Sequence, residues 1–88
     1  MNDKQQVFCA ITGYDVHGIT GAKDDYYFDE CHTQEEKKGQ ISGHAENALD
    51  IYLSDDAINE VYLAIENSRG GSAHDTYYIY KSLDAQGD

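Results

Sequence analysis

The chain contains no proline. That argues against a Pro-rich linker or recognition tail anywhere in it. It also lacks any apolar run of signal-peptide or membrane-span length, so a soluble, unprocessed, cytoplasmic protein is expected. Cysteine is scarce: only Cys9 and Cys31 are present. One disulfide is conceivable, but a disulfide-dense secreted scaffold is not, and two reduced thiols are the simpler expectation. Cations are scarcer still relative to anions, with 6 Lys and Arg against 17 Asp and Glu and a net charge of −11. This balance excludes direct nucleic-acid binding and binding to anionic membranes, and it favours basic surfaces as partners. Leu, Ile, Val and Phe make up less than a fifth of the chain. With that charge, such a composition alone would predict disorder.

What is present reverses that expectation. Eight tyrosines supply large rings whose hydroxyls stay wet, so they can wall a small core. The 88 residues therefore predict one small folded domain, residues 1–88, with 1–4 and 84–88 frayed. Residues 54–71, SDDAINEVYLAIENSRGG, carry both ends of a helix. Ser54 or Asp55 can cap its start, and Asp55 and Asp56 place negative charge at the positive end of the dipole. Ile58, Val61, Tyr62 and Ile65 share one face, and Gly70 or Gly71 can end the helix in the left-handed conformation, with Arg69 near its negative end.

The other segments read as strands. Val7, Cys9 and Ile11 alternate with Phe8, Ala10 and Thr12 over 5–12, as in a strand covered on both faces. Gly13, Gly18 and Gly21 punctuate a long connection that is itself a candidate binding surface. Residues 24–31, DDYYFDEC, form an aromatic second strand, and HTQEEKKGQ reads as a turn. Over 40–53, Leu49, Ile51 and Leu53 alternate with Asp50, Tyr52 and Ser54. This favours a third strand, against a competing helix from Ala45 to Leu53 using Ala45, Ala48, Leu49 and Tyr52. Residues 76–83, TYYIYKSL, form the clearest strand. The expected fold class is α+β: a small antiparallel sheet of three to four strands with one main helix on one face. An exposed edge at 76–83 would make a homodimer plausible.

Catalytic and metal chemistry finds little support in this pattern. Cys9, Cys31, His32 and His44 are zinc-ligand types, but no two cysteines stand two to four residues apart. Cys31 with His44 or His74 lacks a nucleophile motif, and an acidic setting disfavours the thiolate. Residues 24–30 lack the calcium-loop pattern, and RGG at 69–71 is a single helix terminus rather than an RNA-binding repeat. No enzyme activity, metal or cofactor is expected.

The acidic doublets remain. Asp24–Asp25, Asp29–Glu30, Glu35–Glu36 and Asp55–Asp56 recur with tyrosines beside several of them. On a strand, carboxylates two residues apart stand about 7 Å apart on one face, a spacing that imitates backbone phosphates. Neighbouring rings can fill sugar or base grooves or stack on arginine. Through DDYYFDE and LSDDAINEVY, together with its length and charge, the chain resembles the small acidic inhibitors of phages and other mobile elements. These comprise anti-CRISPR, anti-restriction and other DNA-mimic proteins. The resemblance implies a non-enzymatic inhibitor, in the host cell cytoplasm if phage-encoded, that blocks a basic nucleic-acid-binding or effector surface of a host defence protein. Asp24, Asp25, Asp29, Glu30, Glu35 and Glu36 would supply the charge, Tyr26 or Tyr27 an anchor, and Asp55 and Asp56 a second patch. The alternative is a generic acidic interaction module or toxin-neutralising protein; a small metal or thiol enzyme ranks lower.

Overall fold

The computed structural model describes residues 2–14, 33–68 and 72–85, and these form four helices. They are α1 (Asp3–Thr12), α2 (Gln34–Leu49), α3 (Asp55–Ser68) and α4 (Ala73–Ala85). Each begins on a side chain that satisfies a backbone N–H left unpaired by the first turn. In α1, Asn2 Oδ1 accepts the Gln5 N–H at 2.8 Å while Gln5 Oε1 accepts the Asn2 N–H at 3.0 Å. Thr33 and Glu36 make the same reciprocal pair at the start of α2, at 3.1 and 2.7 Å. Ser54 Oγ accepts from Ala57 at the start of α3, and Ser72 Oγ from Asp75 at the start of α4. Gly13 ends α1 and Asp50 ends α2, both left-handed, with φ of 71° and 57°.

Helix α3 is central: it packs against α1, α2 and α4, and α1 likewise touches the other three. No contact joins α2 to α4 among the described residues, so these two flank the α1–α3 pair. Val61 and Ile65 are fully buried, and Ile58 and Tyr62 pack at the edge of the core. The face read from the sequence of α3 is therefore the one it buries. Val7 and Phe8 of α1, Ile41 and Ala45 of α2, and Tyr80 and Leu83 of α4 complete the core with Tyr14 and Ile51. Burial of each large apolar side chain contributes about 1.5–3 kcal/mol. Two amides tie α1 to α4: Gln5 Nε2 donates to the Tyr80 carbonyl at 3.1 Å, and Asn2 Nδ2 to the Leu83 carbonyl at 3.3 Å.

The α+β expectation is overturned, because the described residues contain four helices and no strand. Residues 5–12 lie in α1, where Val7, Phe8 and Thr12 are buried at helical spacing. A short run apolar on both faces fits a covered strand as well as a buried helix, and the Asn2–Gln5 cap decides it. From Thr33 on, the polar piece HTQEEKKGQ is no turn but the cap and opening of α2. That helix takes in most of the expected third strand and runs to Leu49, not from Ala45 to Leu53; its inward residues are Ile41 and Ala45, with Leu49 partly buried, whereas Ala48 and Tyr52 are exposed. Residues 76–83 lie in α4, which buries Thr76, Tyr80 and Leu83, a helical i, i+4, i+7 set. The strand preference of Tyr, Thr and Ile reflects fit to a half-buried pleated surface, and a helix that buries one ring and wets the others satisfies them equally. With 76–83 helical, the sheet edge invoked for a homodimer does not exist. The expected strand at 24–31, the connection's Gly18 and Gly21, and Arg69, Gly70 and Gly71 lie outside the described residues.

Candidate partner-binding surface

Most lysines of the described residues are turned to internal use. Lys4, on α1, is 2.6 Å from Glu60 of α3, with only 10% of its side chain exposed. Lys37 of α2 pairs with Glu66 of α3 at 3.0 Å. Lys38 lies over the Tyr62 ring, 5.8 Å from its centroid. These contacts join α1 and α2 to the central helix, and they spend positive charge within the fold. Lys81, on α4, is exposed. Asp3, Glu35, Glu36, Glu46, Asp50, Asp55, Asp56 and Asp75 are all exposed, so the outward charge is dominated by carboxylates.

Of the expected site residues, Glu35, Glu36, Asp55 and Asp56 are placed by the structure. All four occupy first turns, where carboxylates offset the helix dipole. Glu36 additionally closes the α2 capping box. Adjacent residues on a helix diverge by about 100°, so the two carboxylates of each doublet leave the surface in different directions. Glu35 and Asp55 nevertheless share a groove of about 480 Å³ between α2 and α3, with Lys38, Gly39, Ser42 and Ile58 as its other lining residues. Asp24, Asp25, Tyr26, Tyr27, Asp29 and Glu30 lie outside the described residues.

Cys9 is half-buried against the core, and His44 and His74 are exposed on α2 and α4. Cys31 and His32 lie outside the described residues. Among the described residues no three His, Cys, Asp or Glu side chains converge in a metal-holding group. No helix of the described residues is long and apolar enough to cross a membrane.

Two exposed aromatic features were missed in the sequence. Tyr52, in the connection from α2 to α3, is 72% exposed. It lines a hollow of about 400 Å³ with Asn2, Asp3, Lys4, Leu53, Ser54 and Ala57. The signal was available in LDIYLSDD, a tyrosine between acidic residues, the pattern that singled out Tyr26 and Tyr27. The second feature is the outer face of α4, where Tyr77 and Tyr78 are 39% and 60% exposed and His74 meets the Tyr78 ring edge-on at 4.9 Å. Reading 76–83 as a strand divided these rings between two faces; at helical spacing His74, Tyr77, Tyr78 and Lys81 share one. No family model, curated protein or solved structure matches the chain.

Proposed function

We propose that the protein is a non-enzymatic acidic inhibitor that docks on a basic, nucleic-acid-binding or effector surface of another protein, of the kind a host defence system presents. The observation that carries this reading is the use of charge. Lys4 and Lys37 are paired with glutamates of α3, and Lys38 lies over the Tyr62 ring beside the Glu35–Asp55 groove, while the carboxylates around the starts of α2 and α3 face solvent. Such a surface steers a basic partner and repels nucleic acid itself. The docking edge comprises Glu35, Asp55 and Asp56, with Asp3 at the start of α1 and Asp50 in the connection before α3.

The test is capture of partners on the immobilised protein over a rising salt series, repeated with the Asp55→Lys, Asp56→Lys double variant. A basic nucleic-acid-binding partner that is released as salt rises, and that the variant fails to retain, supports the reading. A partner without a basic surface, held at high salt and indifferent to the charge reversal, overturns it. The exposed tyrosines of α4 would then be the face to examine, as for an interaction module whose charge serves solubility.

A further inference from the structure

We propose that Tyr52 is a stacking platform for arginine, and that the docking edge therefore selects an arginine-bearing segment of its partner over a lysine-bearing one. The inference rests on the acidic-inhibitor reading and names the chemistry of its partner.

Tyr52 is placed by its neighbours. Asp50 turns the chain out of α2 in the left-handed conformation. The Ile51 N–H then bonds the Ala45 carbonyl at 2.9 Å, and the Ile51 side chain enters the core with 8% exposure. Leu53 packs against the same core, and Ser54 caps α3. The backbone on both sides of Tyr52 is thus anchored inward, and the ring is left outward. Among the described residues its side chain takes part in no hydrogen bond or ring contact that would give it a structural role. A rigid, amphipathic side chain held this way loses little conformational freedom on binding, which is why tyrosine recurs as an interface anchor.

The charge around the ring sets the occupant. Asp50, Asp55 and Asp56 flank it along the chain, and Asp3 lines the same hollow. The Lys4 ammonium, also at that hollow, is held by Glu60. Two helix starts, those of α1 and α3, contribute about half a positive charge each, so the edge retains a charge of about −3. A bare acidic edge would accept lysine and arginine alike. A ring within that edge breaks the tie: a guanidinium can lie flat on the ring while its N–H fork pairs with a carboxylate, whereas an ammonium is a strongly hydrated point charge.

The experiment measures dissociation constants of fluorescent oligoarginine and oligolysine peptides of equal length by anisotropy at fixed salt. It compares the unaltered protein with Tyr52→Ala, Tyr52→Phe and the Asp55→Asn, Asp56→Asn double variant. Tyr52→Ala is expected to weaken oligoarginine binding about five- to ten-fold and to change oligolysine binding by less than about two-fold. Tyr52→Phe should retain the arginine preference, and the Asp→Asn variant should weaken both peptides. Equal loss for both peptides on Tyr52→Ala, or no loss for either, overturns the stacking site while the acidic reading stands. Failure of both peptides to bind the unaltered protein overturns the stacking site and the acidic reading together. Tyr52 lies outside the core, so each variant should keep the helical circular dichroism of the parent.

Discussion

Replacing Gly39 and Gly43 by alanine separates the helical structure from the turn-and-strand alternative. Both glycines lie inside α2, four residues apart. A Cβ built at either one meets no atom within 4 Å, and neither has a positive φ. Nothing in the fold therefore needs a glycine there. Within a helix, alanine in place of glycine contributes about 0.5–1 kcal/mol, chiefly because the unfolded chain has less freedom to lose. With no shared packing partner the two should add, giving about 1–2 kcal/mol for the double variant. That is a sizeable part of the roughly 4–13 kcal/mol expected for a domain of this length. In urea, with a slope of about 1 kcal/mol per molar, the midpoint followed by circular dichroism at 222 nm should rise by about 1–2 M. A thermal scan should move up by about 4–8 °C per kcal/mol. In the turn expected for HTQEEKKGQ, a left-handed Gly39 would make Gly39→Ala lower the midpoint. A fall for either single variant, or no change with the slope unaltered, would refute the assignment of α2.

The left-handed Asp50 offers a related trade. Asp50→Gly removes the steric cost of a Cβ at φ 57° and should stabilise the fold by about 1 kcal/mol, measured by the urea midpoint; it should also weaken binding to a basic peptide, since one edge carboxylate is gone. Removing the partner of the part-buried Lys4 has the opposite sign: Glu60→Ala should cost about 1–2 kcal/mol, and the Lys4→Met, Glu60→Met double variant should recover most of it in the same assay.

The starts of the helices were written in short local patterns. Asn2 and Gln5, Thr33 and Glu36, and Ser72 and Asp75 stand three residues apart just as Ser54 and Ala57 do, and in the structure each first residue accepts the backbone N–H of the second. Only the Ser54 start was read as such, because the apolar alternation of VFCAIT and TYYIYKSL outweighed the polar residues before it. The candidate surface was legible to a similar degree. Acidic doublets and nearby tyrosines were visible, with Glu35–Glu36 placed in a turn and Asp55–Asp56 at the start of a helix; only the packing of α2 on α3 brings Glu35 and Asp55 to one groove.

By itself the amino-acid sequence determined the quantities that depend on neighbours along the chain: the N-terminal caps, the inward face of α3, and the excess of carboxylates. Tertiary structure alone decided which side chains each amphipathic segment buries, because burial is a choice among partners distant in sequence. Thr76, Tyr80 and Leu83 go inward because α1 and α3 offer them a helical stripe, with Gln5 reaching the Tyr80 carbonyl, and Tyr77 and Tyr78 are left outside. Lys4 and Lys37 turn inward because Glu60 and Glu66 of α3 lie opposite them. Each pair withdraws one carboxylate with one ammonium, so the tertiary structure decides which carboxylates of the excess remain outside.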